Sequence, residues 1–298
     1  MDDFEVLNLL GEGSFSSVYK VLRKADGQEY AMKKVKMASL NKKEREAALN
    51  EIRILASVDH KNVIGYKEAF FEESEGKLCI VMEMADSGDL ESKITQAKKI
   101  KSFVKESKIW YIFRELLEGL AALHSANIVH RDIKCANVFL LKNGGVKLGD
   151  MNVSKIATGG LMMTQTGTPY YCPPEVWEDK PYSSKCDIWS LGCVMYELAA
   201  LKPPFTAKDM KGLHTKVCKG VFPRIPRHFS QTLQDILCRC LTLDPDRRSS
   251  AKQLLQLYPF NEDELESPSP KKPIITDQIA RSRSQNPMVN DKNNGTNE

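Results

Sequence analysis

Four short segments near the start of the chain either alternate between hydrophobic and polar residues or are continuously apolar. They are residues 4–7, 17–21, 29–33 and 78–82. Alternation with a period of two is typical of a strand with one buried face, and a short apolar run between turn residues such as Asp26-Gly27 is typical of a strand buried on both faces. The first part of the chain is therefore predicted to form a small sheet.

Helical spacing occurs once within this part and dominates the chain after residue 88. Ala48, Ile52 and Leu55 recur every three or four residues and predict one helix from Lys43 to about Ser57. Later apolar stripes lie at 188–201, at 233–241 and at Ile109, Phe113, Leu116, Leu120 and Leu123. The pattern predicts an α+β fold, with a small strand-rich lobe over residues 1–85 that contains one helix and a larger helical lobe over residues 86–258.

The end of the chain differs in composition from the rest. Residues 261–298 are rich in Ser, Pro, Asn, Asp and Lys, and only seven of these 38 residues are apolar. So few apolar side chains do not offset the entropy lost on ordering a segment. We therefore expect a folded domain over residues 1–258 and a disordered tail over residues 259–298.

Composition excludes several classes of protein. Hydrophobic residues make up 42% and charged residues 28% of the chain, which is typical of a globular protein and not of a coiled coil or a collagen. The pI of 8.5 is below the value of about 9 that is usual for nucleic-acid-binding domains. No apolar run reaches the roughly 18 residues of a membrane span, and the acidic start is unlike a signal peptide. The eight cysteines form no C-x-x-C pair, so we expect reduced thiols. From the pI and the absence of a long apolar run, we expect neither a nucleic-acid nor a membrane partner.

A glycine-rich segment follows the first predicted strand. Residues 11–18 read Gly-Glu-Gly-Ser-Phe-Ser-Ser-Val and fit G-x-G-x-x-G-x-V, with Ser16 at the third glycine position. Alone this pattern fits an ordinary hairpin turn equally well, and a helix after the glycines would indicate a dinucleotide fold. Here another strand follows, and the next one carries Ala31-Met32-Lys33, close to the V-A-I-K whose lysine reaches the α- and β-phosphates of ATP. Glu51 on the predicted helix is expected to pair with Lys33.

The segment from His130 to Asn137 contains the most specific motif. It reads His-Arg-Asp-Ile-Lys-Cys-Ala-Asn, or H-R-D-x-K-x-x-N, and resembles the catalytic loop of eukaryotic protein kinases of the serine/threonine type. The resemblance implies a bilobal protein kinase fold. It also implies that Asp132 accepts the proton of the substrate hydroxyl, that Lys134 neutralises the γ-phosphate and that Asn137 holds a Mg²⁺ ion.

A predicted strand ends at Asp150, where kinases carry D-F-G. This chain reads Asp150-Met151-Asn152, which keeps the carboxylate that would bind Mg²⁺. The flexible Met151 is suited to the apolar position of the phenylalanine, and Asn152 tolerates a left-handed backbone better than other residues besides glycine. The departure from the motif concerns the rate and the ease of switching more than the existence of activity.

Two further motifs resemble structural elements of the kinase C-terminal lobe. Residues 168–175 end in Pro-Pro-Glu, similar to the kinase A-P-E, and Glu175 is expected to pair with Arg247. Asp187 is expected to accept backbone hydrogen bonds from the turn at His130 and Arg131.

The resemblance also implies an ATP site between the lobes. Glu83 and Ala85 would offer their backbone to the adenine edge, Met82 would line the back of the pocket, and Asp89 would lie near the ribose. The full set of expected ATP-binding residues is Leu10, Gly11, Glu12, Gly13, Val18, Ala31, Lys33, Met82, Glu83, Ala85, Asp89 and Phe139. The expected catalytic residues are Lys33, Glu51, Asp132 and Lys134, and the expected metal ligands are Asn137 and Asp150. Mg²⁺ is the expected metal, with Mn²⁺ as the alternative.

Finer features resemble the NIMA-related (Nek) kinases, whose members are associated with the cell cycle, centrosomes and cilia. They are residues 137–140, 148–150, 167–171 and 190–198. The resemblance implies protein substrates and a cytoplasmic, cytoskeletal, centrosomal or ciliary location. Many members carry coiled coils after the kinase domain, whereas no heptads follow residue 258 here, so a monomer is favoured.

Regulation by phosphorylation is expected in the segment from 150 to 175. Arg131 lies beside Asp132 in an otherwise apolar loop, and in kinases with this arginine a phosphate on the segment pairs with it. Thr164 and Thr166 are the candidate sites, modified by an upstream kinase or by autophosphorylation.

Three functions stay open at this point. The first is an active protein serine/threonine kinase. The second is a pseudokinase scaffold that binds nucleotide without transferring phosphate, which Met151, Asn152 and Ser16 favour. The third is a kinase acting on small molecules, which the long segment from 150 to 175 disfavours.

Overall fold

The structure is a computed structural model, and the residues it describes form one sheet followed by a helical region. The described residues are 1–13, 16–36, 46, 49–50, 52–53, 56–150, 169–181 and 183–258. The predicted tail lies outside them.

Five antiparallel strands form the sheet, in the order β1-β2-β3-β5-β4. Their bounds are β1 Phe4–Glu12, β2 Ser16–Arg23, β3 Gln28–Lys36, β4 Tyr66–Glu72 and β5 Lys77–Glu83. The four predicted strands are confirmed, and Gly27 makes the turn between β2 and β3 with a φ of 64°. Strand β4 was not predicted, because a register shift between Tyr66 and Glu68 breaks the alternation and leaves Lys67 and Glu68 exposed.

The two faces of the sheet pack against different groups. Tyr30 and Met32 of β3 join Phe4, Val21, Cys79 and Val81 in a small outer cluster. Val35 points to the other face and joins the main core of the helical region. Because side chains alternate along a strand, Ala31 and Lys33 share this inner face, toward the helices.

Seven α-helices, a short 3-10 helix at Cys135–Asn137 and a second, two-stranded sheet follow within the described residues. The helices are α1 Leu90–Lys99, α2 Glu106–Ser125, α3 Pro174–Trp177, α4 Lys185–Ala200, α5 Met210–Lys219, α6 Gln231–Cys240 and α7 Ala251–Leu257. The small sheet pairs β6 Val138–Leu140 with β7 Val146–Leu148. The predicted stripe of α2 is buried, and α4 is buried on nearly every side. None of the described helices combines the length and the apolar character that a membrane crossing requires.

The helix predicted from Lys43 to Ser57 lies only partly within the described residues. Leu49, Asn50, Ile52, Arg53 and Ala56 are helical, and Ile52 is buried in the main core. Glu51 is outside the described residues.

The loop before β4 joins the large sheet to the helical region. The Asn62 carbonyl accepts a hydrogen bond from Leu148 N at 2.8 Å, and Ile64 N donates to the Leu148 carbonyl at 2.7 Å. Asn62 also donates its side-chain amide to Glu115 Oε2 at 2.7 Å and to the Val146 carbonyl at 2.9 Å. These bonds fix β7, and therefore Gly149 and Asp150 directly after it, against the loop that leads into the large sheet.

The expected partner of Glu175 was wrong by one residue. Arg248, not Arg247, forms two bonds to the Glu175 carboxylate, at 2.7 and 3.0 Å, and both side chains are buried. A turn closed by the bond from Arg248 N to the Asp244 carbonyl directs residue 248 inward and leaves Arg247 exposed. Arg248 donates further bonds to main-chain carbonyls, including that of Thr242 at 2.9 Å.

We predict that Arg248→Ala lowers the free energy of unfolding by about 3 to 5 kcal/mol, because it leaves the Glu175 carboxylate buried without its cation. The adjacent Arg247→Ala is the matched control and should change this free energy by less than about 0.5 kcal/mol. Urea denaturation followed by tryptophan fluorescence measures both. Equal losses for the two variants would contradict the assignment of the pair.

Candidate active site

Three side chains converge in the loop between α2 and β6. Lys134 Nζ lies 3.1 Å from Asp132 Oδ2. Asn137 donates its side-chain amide to the Asp132 carbonyl at 2.7 Å and to Asp132 Oδ2 at 3.0 Å. Asp132 and Lys134 are partly exposed, whereas Asn137 is buried. The Asp132 carboxylate and the Lys134 ammonium are therefore accessible to solvent, and the buried Asn137 holds the carboxylate in place.

A buried carboxylate from α4 holds this loop. Asp187 accepts hydrogen bonds from His130 N and Arg131 N, each at 2.9 Å, as the sequence predicted. His124 Nε2, at the end of α2, lies 2.9 Å from the same carboxylate. Arg131 has a φ of 66°, a strained conformation for a residue with a side chain, and the bond to its amide stabilises that conformation.

Asp150 approaches the loop from β7 and pairs with Lys33 of the large sheet. The Lys33 ammonium, which is buried, contacts the Asp150 carboxylate. Gly149 N donates to the Asn137 carbonyl at 3.0 Å, so Asp150 and Asn137 belong to one continuous site. A Cβ at Gly149 would lie 2.7 Å from both Ile64 and Phe139, so the close approach of β7 requires a glycine here.

Several predicted residues fall outside the described part of the chain. They are Glu51, Met151, Asn152, Thr164 and Thr166. The structure therefore shows Lys33 with Asp150, and the pair of Lys33 with Glu51 stays a prediction.

Most of the predicted ATP-binding residues lie on strands of the two sheets, and the others lie in the segments next to these strands. On the first two strands of the large sheet, Gly11 lies opposite Val18 and Glu12 lies opposite Ser17. Leu10 lies at a register shift just before this pair of positions. Gly13 N donates a hydrogen bond to the Ser16 carbonyl. Ala31 lies opposite Met82 on β3 and β5. Phe139 of β6 bridges to Asp89, which brings the second sheet to the end of the segment that follows β5.

Two of these residues have structural contacts that the sequence did not reveal. Glu83 accepts from Lys147 Nζ at 2.9 Å and from Gly65 N at 3.1 Å, and so connects β5 to β7. Asp89 caps α1, accepting from Ser92 N at 2.7 Å and from Ser92 Oγ at 3.0 Å. Ala85, between them, is partly exposed.

A buried polar cluster beside the catalytic loop was not predicted. Glu197 of α4 accepts from the Tyr171 hydroxyl at 2.7 Å, and the Cys135 thiol lies 3.8 Å from the same carboxylate oxygen. Burial raises the pKa of both the Tyr171 phenol and the Cys135 thiol, so both stay protonated and can donate. One signal was available, because Glu197 is the only charged residue between positions 188 and 201.

The oxygen atoms of the site suit a hard cation. Asn137 uses its amide N–H groups for Asp132, which leaves its side-chain oxygen to face a metal, and Asp150 supplies a carboxylate partly open to solvent. Carboxylate and amide oxygens are the ligands Mg²⁺ prefers. With the ammonium groups of Lys33 and Lys134 nearby, the arrangement can bind a phosphate chain and its metal next to the Asp132 carboxylate.

Comparison with known proteins indicates the family to which this chain is related. Residues 4–259 match the model of the protein kinase domain. The chain is 41% identical over 258 residues to the mouse (Mus musculus) serine/threonine-protein kinase Nek3, covering 86% of this chain and 49% of that protein. It is 38% identical to mouse Nek1 over 86% of this chain and 21% of that protein, and 36% identical to mouse Nek2 over 86% of this chain and 59% of that protein.

The chain thus spans less than two thirds of the length of each of these relatives. The match to the domain model nevertheless covers most of the chain and contains every charged residue of the site. The chain therefore belongs to the protein kinase family and is similar to its Nek serine/threonine members.

Proposed function

We propose that this chain transfers the γ-phosphate of ATP to serine and threonine hydroxyls of proteins. Two sets of side-chain contacts carry the proposal, Lys33 with Asp150 and Asp132 with both Lys134 and Asn137, and the bond from Gly149 N to the Asn137 carbonyl joins them. Phosphoryl transfer needs positioning and charge stabilisation more than covalent chemistry, and these five side chains supply both.

Each side chain has a distinct task in this reaction. Asp132 would orient the substrate hydroxyl and accept its proton, and Lys134, 3.1 Å from it, would balance charge on the transferred group. Lys33 would hold the other phosphates from the sheet side. Asn137 and Asp150 would hold Mg²⁺, or Mn²⁺, which when bound supplies neutralisation of charge on the phosphate oxygens.

The adenine would lie between the two lobes, against the residues predicted from the sequence. Support for this position comes from the register that places Ala31 beside Met82 and from the bridge between Asp89 and Phe139. The boundary of the lobes near residue 85, the monomeric state and the cytoplasmic or cytoskeletal location also remain proposals.

Of the three residues that favour the pseudokinase alternative, Ser16 is the one that the structure describes, and it lies on β2 opposite Val35. The catalytic carboxylate Asp132 contacts both Lys134 and Asn137, and Asp150 is paired with Lys33. A protein that binds Mg-ATP without transferring phosphate would still be stabilised by it, so binding and transfer must be measured separately.

Asp132→Asn should lower phosphate transfer by about 10³-fold, because the amide cannot accept the hydroxyl proton. Transfer of label from ATP to a generic protein substrate measures this, in the presence of Mg²⁺. The control is Asp235→Asn, which makes the same chemical change at an exposed position of α6. Equal transfer by Asp132→Asn and the unmodified protein would overturn the enzymatic proposal, and absence of transfer in both, with stabilisation by Mg-ATP retained, would indicate the pseudokinase.

Asp150→Asn should raise the Mg²⁺ concentration needed for half-maximal activity and lower the maximal rate by about 100-fold or more, because one anionic ligand is lost. The titration is repeated with Mn²⁺ and with Asp235→Asn as control. Activity that persists in excess chelator, or an unchanged metal dependence in Asp150→Asn, would contradict the metal assignment.

Phosphorylation of Thr164, by an upstream kinase or by the chain itself, is proposed to raise activity by pairing with Arg131. Thr164→Ala should then lower the activity of the phosphorylated protein to that of the dephosphorylated protein, and Thr166→Ala tests the second candidate. Full activity of the Thr164/Thr166 double alanine variant after phosphatase treatment would exclude this switch.

A further inference from the structure

A strongly basic surface lies on the helical lobe, at the end of α1 and in the segment before α6. We call it the basic surface. Its charged members, all exposed, are Lys98, Lys99, Lys101, Lys105, Arg224 and Arg227.

The two segments are neighbours because their side chains interlock. The Phe103 ring lies 4.7 Å from the His228 ring and 6.3 Å from the Phe229 ring, measured between centroids. Ser230 N donates to Glu106 Oε2 at 2.9 Å. The basic surface is therefore a fixed feature of the fold.

Little negative charge offsets this surface. Glu106 already accepts from Ser230 N and, at 3.1 Å, from Trp110 Nε1. Among the described residues, the acid paired with a member of the surface is Glu197, whose Oε1 lies 3.8 Å from Lys98 Nζ. Lysines in the last turn of α1 are favoured by the helix dipole, but this does not account for the lysines and arginines of the loops.

Two exposed apolar side chains accompany the charges. Ile100 is 66% exposed and Phe103 is 47% exposed. Exposed apolar groups of this size within a charged surface are typical of a site that binds another protein.

A short series of contacts connects this surface to the active site. Lys98 lies beside Glu197, and Glu197 binds Tyr171 and lies against Cys135. Cys135 directly follows Lys134, which contacts Asp132. Glu197 and Cys135 are buried, so these contacts run beneath the surface, and they place Lys98 of the basic surface a few side chains from the catalytic loop.

We propose that the basic surface binds an acidic tract of a protein substrate. This tract contains at least one apolar residue and lies before or after the residue that is phosphorylated. The proposal rests on the proposed kinase function and names the substrate class. Charge complementarity selects the tract, while Ile100 and Phe103 contribute apolar contact. Because exposed ion pairs are screened by salt, the preference should weaken as ionic strength rises.

The test variant is Lys99→Gln/Lys101→Gln/Lys105→Gln, which removes three charges and leaves Lys98 and the catalytic groups unchanged. The matched control is Lys202→Gln/Lys219→Gln/Lys252→Gln, with three exposed lysines of the same lobe outside the basic surface. All peptide substrates share one serine-containing core. In the acidic peptides a tract of Asp, Glu and one Leu is placed either before or after this core. In the neutral peptides Ser and Gly replace the Asp and Glu residues of the tract.

The unmodified protein and the control should show a KM about tenfold lower for an acidic peptide than for the neutral one, since each exposed pair contributes a factor of about two. The test variant should lose this difference with kcat and the KM for the neutral peptide unchanged. Binding of the same acidic peptides with Ser→Ala, followed by fluorescence anisotropy, should weaken by the same factor in the test variant.

Equal KM values for acidic and neutral peptides in the unmodified protein would overturn this inference and leave the kinase proposal intact. If no peptide is phosphorylated and the protein does not differ from Asp132→Asn, the kinase function is overturned. Fluorescence anisotropy then decides separately whether the basic surface binds acidic peptides. If the test variant instead loses binding only to phosphatidylserine vesicles or to an oligonucleotide, the surface serves a membrane or a nucleic acid and the peptide proposal is wrong.

Discussion

The geometry of the catalytic loop depends on one buried carboxylate. Asp187 lies within the almost fully buried helix α4 and binds the amides of His130 and Arg131 together with the His124 ring. A buried carboxylate is stable only when it is fully hydrogen-bonded, so the loop and the helix each require the other. The strained backbone at Arg131, and with it the position of Asp132, follows from this interaction.

The active site is assembled from two regions of unlike architecture. Lys33 comes from the inner face of the large sheet, whereas Asp150 follows a strand held against the helical region. Gly149 allows the close approach, because any larger side chain would collide with Ile64 and Phe139. The buried ammonium and the partly open carboxylate stabilise each other across the junction. Substrate and metal would meet where the two regions join.

Particular residues show how far sequence reasoning extends. The strand and helix periods identified four of the five strands of the large sheet and three of the seven described α-helices, α2, α4 and α6, since burial on one face produces the same spacing whatever the neighbours are. Strand β4 was not predicted, because its bulge interrupts the spacing of buried residues. The partner of Glu175 was wrong by one position, because two adjacent arginines are equivalent in sequence and only the turn at residues 244–248 decides which points inward.

The sequence alone identified the candidate site residues and their order, because a lysine, two carboxylates and an amide stand in motifs whose spacing resembles that of protein kinases. It also predicted that Asp187 accepts backbone hydrogen bonds from the turn at His130 and Arg131, as observed. Only the tertiary structure decided which of these groups touch, that Glu197 joins Tyr171 to Cys135, and that Lys98 lies beside Glu197. Such contacts join residues up to 117 positions apart in the chain, and their distances depend on packing that no local pattern encodes.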